Sequence, residues 1–173
     1  MSYDKIQNSR EDNEKLVLRN LESLLRKTIS EDLIVVDYVT TNLLPKGENY
    51  CSTMLKVDAT VKKSKTSSIE KLSLVAKMVP DTEFLKTHFN ASASFSKEIY
   101  VFEKLLPIYR QLEKEVGVKD EDLIDLLPKF YGGRLTLDEK RVDKADEDAV
   151  LLMENIKTRG YYNLDRKKGL IIF

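Results

Sequence analysis

The sequence predicts an α+β domain in which a five-stranded antiparallel sheet packs with one long helix and is preceded by an amphipathic helix. Three observations carry that prediction. Thr53, Leu55, Val57, Ala59 and Val61 alternate with Ser52, Met54, Lys56, Asp58, Thr60 and Lys62, a period of two that marks a strand with one buried face. Phe95, Ile99, Phe102 and Leu106 recur at steps of four, three and four, the apolar stripe of a helix. The stretches "YGGRLTL" and "AVLLMEN" flank the charged loop "DEKRVDKADED". They read as a hairpin whose second strand, apolar throughout, is covered on both faces.

The elements follow in order. Ser9 with Asp12 resembles a helix N-cap, and Leu18, Leu21, Leu25 and Ile29 continue at helical spacing, so residues 10–29 are expected to form an amphipathic helix. Arg26 and Lys27 stand near its end, where cations suit the helix dipole. The β-branched run "LIVVDYVTTNLL" (33–44) predicts the first strand, and Pro45, Gly47 and Asn49 turn the chain into the alternating second. A polar loop, 63–70, leads to the third strand, 71–79. There Leu72, Leu74, Ala76 and Met78 share one face, and Ser73, Val75, Lys77 and Val79 the other. Lys77 among valines is either an edge residue reaching for water or a charge in a partly covered cleft. Pro80 ends this strand, and a short helix over 81–88 precedes the long one. A proline inside a helix removes a donor and crowds the preceding turn, so a break is expected at Pro107, with a second helical piece through Val116. Glu98 lies on the apolar stripe, three residues after Phe95 and four before Phe102. An acid placed there needs a partner if it is buried.

Bulk properties narrow the function classes. Lys+Arg and Asp+Glu both number 29, so no basic footprint points to nucleic acid or an anionic membrane. The start "MSYDKIQNSREDNEK" has no apolar core of a secretory signal, and no apolar run approaches spanning length. Cys51 is the only cysteine, which excludes an intrachain disulfide and fits a reducing, cytoplasmic setting. With His88 as the single histidine, Cys51 is expected to be a packed or surface residue rather than part of a Cys/His site. The expected organisation is a helical extension (1–32), a sheet-bearing lobe (33–155) and a connecting segment that begins a second lobe (156–173).

The order strand, glycine turn, strand, strand with Lys77, helix with Glu98, strand, strand ending at Glu154 is the arrangement of a kinase amino-terminal lobe. A glycine turn lets backbone amides approach phosphate, a strand lysine supplies positive charge, and a helix glutamate holds that lysine in place. The chain resembles the ecdysteroid-kinase-like (CHK kinase-like) proteins of insects. These share the protein-kinase-like fold with choline kinases and aminoglycoside phosphotransferases. The matching pieces, in register from about residue 40, are "GENYCS", "LVAKMVP", "FSKEIYVFEKLLP", "PKFYGG", "LLMENIKTRGY" and "DRKKGL". The resemblance implies that Gly47, Glu48, Asn49 and Tyr50 cover the ATP phosphates. Lys77 would contact those phosphates, and Glu98 would pair with Lys77. Glu154, Asn155 and Ile156 would form a hinge beside adenine, mainly through backbone. The family usually has an aspartate where Asn155 stands, a mild departure if backbone does most of the contacting. Taken singly, each residue has a plainer reading: a hairpin glycine, a solvated strand lysine, a helix surface acid, a strand-end charge.

Phosphoryl transfer also needs an aspartate to position the acceptor hydroxyl, and ligands for magnesium. In the resembled family these come from an "HGD" loop and a later "DFQ"-type aspartate, and neither triplet occurs here. The expectation is therefore the ATP-binding lobe of a small-molecule kinase, in the eponymous case acting on a steroid hydroxyl. As a truncated product or incomplete gene model it is expected to show little turnover. The alternative is a non-catalytic, pseudokinase-like module that binds nucleotide, or binds a protein partner through an exposed apolar face.

Overall fold

The computed structural model describes residues 17–43, 51–80, 82–120, 123, 127–141 and 143–162. Helix α1 (Leu21–Thr28) precedes three antiparallel strands, β1 (Ile34–Asn42), β2 (Thr53–Lys62) and β3 (Ile69–Met78). Helices α2 (Glu83–His88) and α3 (Ala91–Tyr100) follow, and α3 runs through a π-helical turn, Val101–Leu105, into α4 (Leu106–Glu115). Strands β4 (Phe130–Arg134) and β5 (Val150–Glu154) close the sheet, and a 3-10 turn, Ile156–Arg159, leaves it. The strand order is β1-β2-β3-β5-β4, antiparallel throughout. The sheet, the long helix and the preceding helix expected from the sequence are all present.

Helix α1 packs on one face of the sheet, and α3 meets one end of the other. Leu21, Leu24 and Leu25 of α1 pack with Leu55, Val57, Ala59 and Val61, and with Leu74, Ala76, Met78, Val150 and Leu152. On the opposite face Phe95 and Ala91 of α3 meet Val79 and Ala149. Strand β5 is buried on both sides, as its unbroken apolar run requires.

Two expectations are corrected. The first helix begins at Leu21, not at residue 10; residues 17–20 are not helical, Asn20 is left-handed (φ 50°, ψ 46°), and the stretch before Val17 lies outside the described residues. Leu18 is buried as its spacing suggested, but from a non-helical segment. The reason is tertiary. Tyr38 Oη donates to Leu18 O (2.7 Å), and Arg134 donates to Arg19 O (2.5 Å) and Asn20 O (3.4 Å). Those carbonyls serve the sheet instead of a helical ladder. The break expected at Pro107 is also absent. In the π turn Leu106 N bonds Val101 O, and Pro107 then stands in the first turn of α4, where a missing N–H costs little.

Arg134 belongs to a partly buried charge cluster that fastens the segment before α1. Its Nε donates to Asp148 O (2.9 Å), and Arg19 Nε lies 3.0 Å from Asp148 Oδ1, an ion pair off the line of the N–H. Burial pushes the Asp148 carboxyl above its ordinary value, with Arg19 opposing. A carboxyl with a raised folded-state value contributes stability below its unfolded value and loses it as pH rises through the folded one. Urea unfolding of wild type relative to Asp148→Asn should therefore show an advantage that falls with rising pH, about 1.4 kcal/mol for each unit of separation. An advantage that grew with pH would mean that the two arginines outweigh burial.

Candidate functional site

The sheet face turned away from α1 carries three rows of side chains, because cross-strand partners share a face. At one end Lys77 lies between Met54 of β2 and Leu151 of β5; in the middle Val75 lies between Lys56 and Met153; at the far end Ser73 lies beside Asp58. Asn155 N donates to Ser73 O (3.2 Å) and brings the residue after β5 alongside this last row. From Ser73 to Lys77 is four residues, roughly 13 Å at the rise of a strand. The face thus offers a cation at one end, Val75 and Met153 beside Lys56 in the middle, and backbone-rich polar groups at the other end. A groove of about 400 Å³ opens at that polar end, lined by Asn42, Lys56, Ser73, Asn155, Lys157 and Thr158.

Lys77 and Glu98 meet. Lys77 Nζ lies 2.6 Å from Glu98 Oε1 and 2.7 Å from Oε2, with the Phe95 ring centroid 5.7 Å from the same nitrogen. The side chains are 23% and 37% exposed, so the pair adds about 1 kcal/mol or less to stability. Its effect is to aim a lysine that still reaches solvent. The helix that carries Glu98 is held close by β4. A Cβ on Gly133 would stand 2.8 Å from Ile99 Cγ1, next to Glu98 in sequence, while one on Gly132 would stand 3.1 Å from Leu24 O of α1. The paired glycines let the two helices close on β4 from opposite sides. A Gly-Gly pair inside a strand signals such an approach, although sequence reasoning assigned it no role.

The other predicted site residues are placed as follows. The Glu154 carboxylate lies in register with Leu74, on the α1 side, where it accepts from Lys129 N (3.3 Å) and lies 3.5 Å from Arg159 Nη1. Only the Glu154 backbone borders the three-row face. Asn155 is 5% exposed, and its Oδ1 accepts from Lys157 N (3.3 Å) to cap the 3-10 turn that Ile156 begins. Gly47, Glu48, Asn49 and Tyr50 lie outside the described residues. Cys51 and His88 are exposed, the histidine ring stacking on Phe84 at 5.6 Å. Among the described residues no group of three or more His, Cys, Asp or Glu could hold a metal ion, and no helix is long and apolar enough to cross a membrane.

A family model, that of the ecdysteroid kinase-like family, matches residues 46–172, most of the chain. A comparison with curated proteins found no match, and a comparison with solved structures found none.

Proposed function

The chain belongs to the ecdysteroid kinase-like family, and from that premise we propose that the three-row face is the ATP-binding surface of a small-molecule kinase lobe. The observation that carries the reading is the Lys77–Glu98 pair, a partly exposed lysine held by both carboxylate oxygens beside Met54 and Leu151. Lys77 binds the phosphates as a point charge, and Glu98 keeps the ammonium from folding back onto the sheet. Val75 and Met153 form an apolar floor for the base, and residues 154–156 offer it backbone groups. The loop 47–50 would cover the phosphates. In the complete reaction the ATP γ-phosphate passes to a hydroxyl of a small molecule, a steroid alcohol in the family's eponymous case. This chain's share of that work is holding the nucleotide.

Calorimetric titration of the chain with ATP tests this. Wild type should bind, and Lys77→Met should weaken binding at least about tenfold, the loss of a charged hydrogen bond. Glu98→Gln should have a smaller effect in the same direction. Equal heats from wild type and Lys77→Met would overturn the assignment of Lys77, and no heat from wild type would favour docking of a protein partner.

A further inference from the structure

We infer that Asn155 is a positioning residue that locks the hinge to the sheet through Ser73 and Asp58, and that the lock requires an amide at this position. The inference rests on the nucleotide reading of the same face. Three side chains form a chain of bonds: Asn155 Nδ2 donates to Ser73 Oγ (3.1 Å), Ser73 Oγ donates to Asp58 Oδ1 (3.1 Å), and Lys56 Nζ lies 2.7 Å from Asp58 Oδ2. The directions are forced. Lys56 holds the Asp58 carboxyl below its ordinary value, so at neutral pH Asp58 only accepts. The one Ser73 hydrogen therefore goes to Asp58, and the serine lone pairs need a donor from the other side. Asn155 supplies it with its NH₂, which turns Oδ1 toward Lys157 N. One buried amide thus ties β3 to the first turn after β5, and the backbone of residues 154–156 is set by both of its ends.

An aspartate at this position would still accept from Lys157 N but would have no hydrogen to donate to Ser73. It would face a hydroxyl already committed to Asp58 and bring a second negative charge into the same short chain of bonds. Asn155 with Ser73 and Asp58 is consequently a matched set, and the amide cannot be exchanged alone for a carboxylate. Since the same backbone would meet the adenine base, the lock acts on nucleotide affinity through geometry, without touching the phosphates.

The test is ATP titration and thermal unfolding of the whole chain as wild type, Asn155→Asp, Ser73→Ala and Asn155→Asp with Asp58→Asn. The single Asn155→Asp change should weaken ATP binding about tenfold at a temperature where the variant is folded, the upper range for one lost neutral hydrogen bond. Adding Asp58→Asn frees the Ser73 hydrogen for the introduced carboxylate and should restore affinity to within about threefold of wild type. Ser73→Ala, which strands the buried amide, should weaken binding in a chain that keeps Asn155. Unchanged affinity in Asn155→Asp, or failure of Asp58→Asn to restore it, overturns the inference. A drop in melting temperature with unchanged affinity overturns it too, because that is a structural role alone. If wild type itself gives no heat with ATP, the nucleotide reading fails separately. The lock is then read from the melting temperatures: Asn155→Asp should lower the midpoint, and Asp58→Asn in the same chain should raise it again. Strictly additive shifts would overturn the lock.

Discussion

Replacing Gly133 with valine should cost the fold about 3 kcal/mol, the upper range for overpacking a closed contact, and should weaken ATP binding. The backbone of Gly133 is not left-handed, so the cost is steric. An added Cβ meets Ile99 Cγ1 at 2.8 Å, Ile99 Cδ1 at 3.1 Å and Phe130 Cζ at 3.4 Å. Ile99 is β-branched and stiff at its first torsion, and it sits within α3, so it yields by moving the helix. Glu98 moves with it, away from Lys77. Urea denaturation and ATP titration of Gly133→Val check the two halves of the expectation. An unchanged midpoint would show that β4 and α3 are less tightly closed than these distances state. Lost stability with full ATP affinity would separate the helix position from the site.

Phe95→Ala is the second large effect, an expected loss of about 3–5 kcal/mol for truncating a buried aromatic. Phe95 is 2% exposed and packs with Val79, Ala91 and Ala149. It anchors α3 to the sheet face that bears Lys77, one turn before Glu98. Its ring also lies 5.7 Å from Lys77 Nζ, so its removal takes away an apolar wall as well as an anchor. Chemical denaturation should show the loss directly. Phe95→Leu, which keeps much of the volume, should recover more than half of it. A loss below about 1 kcal/mol for the alanine would mean that the site collapses around the gap.

Local periodicity made much of this fold legible. The two-residue repeat of β2, the apolar run of β5 and the stripe of α3 each report the face that they bury, because burial is what the pattern records. Periodicity also marked Glu98 as an acid on an apolar stripe that needs a partner, whereas naming Lys77 as that partner rested on the resemblance. What the sequence hid depends on partners far along the chain. Asn20 ends the backward reach of α1 because Tyr38 and Arg134 take the two carbonyls before it, Leu18 O and Arg19 O. Gly132 and Gly133 have meaning only once α1 and α3 are both in place. Asn155 reads as a departure from a family pattern until Ser73 and Asp58 stand beside it.

The π turn at Val101–Leu105 has a bearing on how this helix can diverge between relatives. A π turn holds one residue more than the α-helix it interrupts, and one residue is about 100° of rotation. The helix is in effect two phases joined by an insertion. Upstream of it, Glu98 fixes the azimuth to Lys77. Downstream, the half-exposed Ile108, Tyr109 and Leu112 take their direction from the inserted residue. Deleting a single residue within 101–105 would leave the upstream ion pair where it is and swing those three side chains to a different side of the molecule.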